Sequence, residues 1–157
     1  MMSVQRRGTA IAMTDTERDT FLRTQPLCRV ATVGRNGDPH VSALWFVWDG
    51  STLWLNSLVR SQRWTDLDRD RRLSAIVDDG GTDFMALRGV ELRGSAEVVG
   101  EAPRKGDPLD ELIGPERLFA DKYMGGDTFR YDGRHGWLRL TVEKVVSWDF
   151  AKLRRDR

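Results

Sequence analysis

His40-Val41-Ser42-Ala43-Leu44-Trp45-Phe46-Val47-Trp48 is the stretch on which the fold turns. Successive side chains of a strand point to opposite faces. One face therefore carries His40, Ser42, Leu44, Phe46 and Trp48, and the other Val41, Ala43, Trp45 and Val47. Both faces become apolar towards Trp48. A strand with one face in water would alternate cleanly, so this one needs cover on both sides at its C-terminal end. A barrel interior on one side and a subunit interface on the other would provide it.

Working outward, Leu27 to Val33 reads as the preceding strand, and Asn36-Gly37 within Gly34–Asp38 is a strong hairpin signal. Before it, Thr14-Asp15-Thr16-Glu17 has the form of a capping box and opens a short helix to about Arg23, stopped by Pro26. After it, Asp49-Gly50 turns the chain into a third strand, Thr52 to Ser57. Ser61 is placed to cap a helix bearing Trp64 and Leu67, and Leu73 to Val77 is a fourth strand. Phe84 to Val99 is long for one strand, and Gly89 and Gly94 within it mark bends or bulges. Leu109 to Met124 reads as a helix that Gly114-Pro115 splits or restarts, and Trp137 to Trp148 is the last strand. About six strands with glycine corners and a few short helices give a mainly β (α+β) class, closed as a small barrel.

Composition narrows the function. A chain of 157 residues with 39% hydrophobic residues can build a core in a single domain, expected over 14–157, behind a loose extension at 1–13. A formal net charge of +1 argues against nucleic acid as partner. No stretch approaches the roughly 20 apolar residues of a membrane span, and Gly8–Ala12 is too short for a signal peptide. With one cysteine, Cys28, in an apolar run, the chain is expected to be cytoplasmic and its thiol inert. His40 and His135 are too far apart in the chain to suggest a metal site. The six tryptophans read mainly as packing. The basic tail Lys152, Arg154 and Arg155 reads as a solvated terminus.

The chemistry concentrates in Leu55-Asn56-Ser57-Leu58-Val59-Arg60-Ser61-Gln62-Arg63-Trp64. A strand ends and a helix begins there. The first turn of a helix presents unpaired N–H groups and the positive end of its dipole, a ready anion site. Ser57, Ser61, Arg60 and Arg63 surround that turn, and arginine can grip phosphate with two parallel bonds. From the residues alone, a phosphate site and a capped surface helix with solvated arginines fit equally well.

The ordered set Arg29-Val30-Ala31-Thr32-Val33, Asn36-Gly37-Asp38-Pro39-His40-Val41, Leu44–Gly50, Arg60-Ser61-Gln62-Arg63, Asp66–Asp70 and Leu92–Val99 resembles the pyridoxamine 5′-phosphate oxidase-like superfamily. Lys122-Tyr123 matches a basic-aromatic pair on a later helix of that group. The resemblance runs from about Thr14 to Phe150 and is similar to small FMN- or F420-dependent oxidoreductases. It implies a six-stranded split β-barrel of Greek-key type and a homodimer with cofactor sites at the subunit interface. It implies phosphate binding by Arg60, Ser61 and Arg63, and positions near the phosphate and ribityl chain for Asn56 and Ser57. It also implies a flavin or deazaflavin ring along Ser42, Ala43, Leu44 and Trp45, and hydride transfer to a small organic acceptor. The alternative is a non-catalytic protein that holds flavin, deazaflavin or haem. The chain departs from the family pattern at Ala43 and Arg71, where proline is usual, and at Arg63, where lysine is usual. The C-terminal substrate segment of the vitamin B6 oxidases is not evident.

Overall fold

A computed structural model of the chain describes residues 2–154, so Arg155 lies outside the described residues. The elements are α1 (Asp15–Thr24), β1 (Cys28–Val33), β2 (Pro39–Leu44), β3 (Phe46–Trp48), β4 (Leu53–Leu58), α2 (Gln62–Arg69), β5 (Arg72–Asp79), β6 (Arg88–Val99), α3 (Asp110–Tyr123) and β7 (His135–Asp149).

All described strands form one antiparallel sheet in the order β2-β1-β5-β6-β7-β4-β3. The single strand expected over His40–Trp48 is divided at Trp45, which is why there are seven strands and not six. Its first half pairs with β1 and its second with β4. The two edges of the sheet are thus joined by one residue. A sheet built this way has to curl until its edges meet, which gives a half-barrel and leaves little open edge. Side-chain alternation passes unbroken through the switch, because Leu44, Phe46 and Trp48 all enter the interior core.

That interior also takes Leu53 and Leu55 from β4, Leu73, Ala75 and Val77 from β5, and Leu92 from β6. A second cluster lies on the other side of β4 and β7, where Trp54, Val47 and Trp137 pack against Leu112, Phe119 and Ala120 of α3. The chain's own α3 therefore covers Val47 and supplies the second apolar environment inferred for the end of the strand. Val41 and Trp45 on the same face stay 65% and 49% exposed.

Local chemistry explains the element ends. Thr14 and Glu17 form the reciprocal capping box of α1. Asn36 takes a φ of 65° in the β1–β2 turn, a conformation asparagine tolerates. The β6 ladder shifts register between Arg93 and Gly94. A Cβ at Gly94 would lie 1.9 Å from the Thr141 carbonyl oxygen, so only glycine allows β7 this close. The α3 helix was expected to break at Gly114-Pro115, but it is continuous. Pro115 gives up one main-chain bond in the second turn. Leu112, Pro115, Glu116, Phe119 and Ala120 fall on one buried stripe that holds the helix. The segment before α1 is laid along β7. Gln5 exchanges two hydrogen bonds with the Ser147 backbone, and the Met13 N–H donates to Ser147 Oγ at 2.9 Å.

Candidate functional site

Two features meet at the seam where β2 passes into β3. The first is Arg63, in the first turn of α2. Ser61 caps that helix, accepting from the Trp64 N–H at 3.2 Å and donating to the Leu58 carbonyl at 2.7 Å. Helix α2 is pinned at two points. Asp66, fully buried, accepts from Thr32 Oγ1 of β1 at 2.7 Å and from Gln62 Nε2 at 2.8 Å. Trp64 rests on Gly136 of β7, where a Cβ would come within 2.8 Å of its ring. So held, the helix turns the Arg63 side chain inward. Its Nε donates to Ser57 Oγ at 2.9 Å and its Nη1 to Ser42 Oγ at 2.5 Å.

Arg63 is only 6% exposed. No carboxylate of the described residues lies within ion-pair distance of it. Desolvation pulls its pKa below the usual arginine value. Guanidinium stays protonated even so, so the barrel seam holds a positive charge whose only hydrogen-bond partners among the described residues are two serine hydroxyls.

The predicted residues divide into groups. Ser42, Ser57 and Arg63 converge. Ser61 stands beside them with its hydroxyl engaged as the cap, and Arg60 is exposed. Asn56 and Ser57 are successive residues of β4 and face opposite sides of the sheet. Leu44 belongs to the interior core, while Ala43 and Trp45 lie on the outer face.

The second feature is on that outer face. A cavity of about 120 Å³ lies between β4, the start of β7 and α3, lined by Trp45, Asn56, Phe119, Phe129, Tyr131 and His135 among others. Trp45 stacks on Tyr123 with ring centroids 4.5 Å apart. The Tyr123 hydroxyl lies 2.9 Å from the Phe46 and Pro26 carbonyl oxygens and accepts from the Phe46 N–H at 3.3 Å. Lys122 donates to the Phe46 and Leu22 carbonyls and sits 3.9 Å from the Phe46 ring. This basic-aromatic pair satisfies backbone groups where the strand changes partners. Burial lowers the Lys122 pKa to about 8 and raises that of Tyr123.

Sequence reasoning missed the wall behind the cavity. Arg104, buried in the β6–α3 loop, donates to Glu116 at 2.6 Å and to Glu101, and the Tyr131 hydroxyl donates to Glu116 at 2.9 Å. Nothing local in a charged loop announces that its arginine turns inward. His135 Nδ1 lies 2.5 Å from Asp132 Oδ2, and His40 is 3.7 Å from Asp66. Among the described residues no group of three or more His, Cys, Asp or Glu is arranged to hold a metal. No helix among them is long and apolar enough to cross a membrane.

Residues 14–149 match the family model described as pyridoxamine 5′-phosphate oxidase, and the chain belongs to that family. No curated protein matches it. Among solved structures, it is similar to the conserved hypothetical protein Rv2991 from Mycobacterium tuberculosis. That match has 29% identity and a TM-score of 0.79, and covers 95% of this chain and 92% of the other. An F420 reductase shares 22% identity with a TM-score of 0.60, covering 82% of this chain and 94% of that one. HutZ, the haem storage protein from Vibrio cholerae, shares 14% identity with a TM-score of 0.65, covering 85% and 93%. The last two likenesses speak to fold alone.

Proposed function

We propose that this member of the pyridoxamine 5′-phosphate oxidase family binds a phosphate-bearing flavin-type cofactor, FMN or F420, and works as an oxidoreductase on a small organic acceptor, as a homodimer. The observation that carries the reading is Arg63. A buried cation without a counter-ion is costly, and a site that keeps one is suited to an anion that completes it. Ser42 and Ser57 fix its orientation in advance, which lowers the ordering cost of binding. The capped start of α2 adds N–H groups and a favourable dipole. These residues fit a phosphate group.

When bound, the cofactor supplies the hydride chemistry. The chain's part is to hold and enclose it. The side chains of Arg63, Ser42 and Ser57 are assigned to the phosphate, with Arg60 adding attraction from the exposed side. The backbone of residues 42–45 is assigned to the ring. The proton of a reduction is assigned to solvent.

The compact cluster favours a single terminal phosphate, as in FMN. An acidic F420 tail would want a basic groove, and Arg88, Arg93, Lys122 and Arg130 are the cations weighed for one. Arg88 is paired with Asp79, Arg93 with Glu91, and Lys122 is turned to backbone carbonyls. Only Arg130 of the four borders the cavity. A non-catalytic ligand-holding role is the second reading, and the His135–Asp132 pair at the cavity edge is what favours a haem-type ligand. Against it, a cavity of about 120 Å³ is small beside the roughly 300 Å³ and upward of ordinary ligand pockets.

Titration of the purified protein with FMN, F420 and haemin tests the proposal, followed by turnover of the reduced cofactor with a panel of acceptors. Saturation by FMN or F420 at one site per chain, with turnover, is expected. Binding without turnover moves the protein to the ligand-holding class, and a Soret band with haemin alone identifies the haem variant of it.

A further inference from the structure

Two buried donors on the outer face of the sheet have no hydrogen-bond partner among the described residues: Asn56 Nδ2 and Trp137 Nε1. Asn56 of β4 and Trp137 of β7 stand directly opposite each other in the ladder and so share a face. Asn56 lines the cavity. The Trp137 ring packs 5.7 Å from both Phe119 and Phe129, which also line it. Leaving a buried donor unmade costs about 1–3 kcal/mol, and the Asn56 donor, in the cavity lining, calls for an acceptor atom to fill the place.

The cavity has the rest of a recognition site. Its volume, about 120 Å³, is close to the roughly 150 Å³ of an apolar cavity that takes benzene. Trp45, Phe119, Phe129 and Tyr131 give its walls four aromatic rings. Of the two arginines in the lining, Arg104 is spent on Glu101, Glu116 and the Asp107 carbonyl, and Arg130 is exposed, where a charge attracts an anion only weakly. Trp45 is shared between this cavity and the stretch to which the ring was assigned.

We infer that this cavity is a compartment for a small, neutral, ring-shaped carbonyl compound, whose oxygen accepts from Asn56 Nδ2 while its ring lies among Phe119, Phe129 and Trp45. That this compound is the acceptor of the redox reaction rests on the function proposed above; that it binds does not.

Calorimetric titration with three ring compounds, acetophenone, ethylbenzene and benzoate, tests this on the full chain, once without cofactor and once with FMN. Acetophenone should saturate one site per chain and bind about tenfold more tightly than ethylbenzene, the worth of one buried hydrogen bond. It should also bind more tightly than benzoate. Asn56→Leu should abolish the preference over ethylbenzene while keeping ethylbenzene binding. Intermolecular NOEs from acetophenone to Trp45 and Phe129 in the wild type give a readout that needs no variant. Equal affinity for acetophenone and ethylbenzene, tighter benzoate binding, NOEs to other residues, or no acetophenone binding up to its solubility would overturn the inference. FMN binding without acetophenone binding defeats this inference alone. Acetophenone binding without FMN or F420 binding upholds the compartment and defeats the cofactor reading.

Discussion

Replacing Arg63 should separate a buried phosphate anchor from surface attraction. The residue is 6% exposed, and its guanidinium is braced by Ser42 and Ser57. Opposite charges about 4 Å apart interact by roughly 4 kcal/mol at an effective dielectric near 20, and a hydrogen bond to a charged group contributes about 1.5–3 kcal/mol. Arg63→Ala should therefore weaken FMN binding by about 100- to 1,000-fold, at roughly 1.4 kcal/mol per tenfold. Arg60 is exposed, and exposed ion pairs contribute at most about 1 kcal/mol, so Arg60→Ala should cost about fivefold or less. Arg63→Lys keeps the charge but loses the planar fork and should fall between them. Salt sharpens the contrast. Raising it to 0.5 M should erase the Arg60 contribution, because exposed charges are screened, and leave most of the Arg63 contribution. Quenching of flavin fluorescence measures the affinities, and circular dichroism with thermal melting confirms that each variant is folded. An Arg60→Ala loss equal to or larger than that of Arg63→Ala, in folded proteins, would refute the reasoning.

Other positions report on the scaffold. Gly94→Ala should destabilise the chain by about 3 kcal/mol or prevent folding, since the new Cβ meets the Thr141 carbonyl at 1.9 Å and that carbonyl cannot move without opening the β6–β7 ladder; denaturant melts measure it, and a neutral outcome would contradict the bulge geometry. Burial would raise the Asp66 pKa, but hydrogen bonds from Gln62 and Thr32 outweigh it and hold the carboxyl below its usual value. Its contribution to stability is then full above about pH 4 and lost as pH falls further, so Asp66→Asn should lower stability at pH 7 and flatten the acid limb of the stability curve. Burial pushes the Cys28 thiol up to about 12. The unfolded chain loses that proton first, near pH 8.5, so the wild type should lose stability relative to Cys28→Ala as pH rises beyond that point. Parallel curves in alkali would show the thiol to be less enclosed.

Much of this scaffold was legible because it rests on local rules. The capping box at Thr14, the Asn36 turn, the glycine bend at Gly94 and the two-faced alternation of His40–Trp48 each follow from backbone sterics or side-chain period within a few residues. The continuity of α3 through Pro115 was not legible, because the buried stripe that outweighs the lost bond exists only once α3 lies on β4 and β7.

The site divides the same way. The sequence by itself determined that a strand end and a capped helix start bring serines and arginines into one short segment, since Ser57, Arg60, Ser61 and Arg63 are chain neighbours. Only the tertiary structure decided which arginine turns inward. Arg63 is buried because Asp66 and Trp64 anchor α2 to strands distant in sequence, and because Ser42 arrives from β2 to meet it. The same holds for Asn56. Alternation placed it opposite Ser57, but its unpartnered donor and the aromatic walls around it come from β7, α3 and the loop between them. Local sequence sets what a side chain can bond to; the closing of the sheet through Trp45 sets what stands within reach.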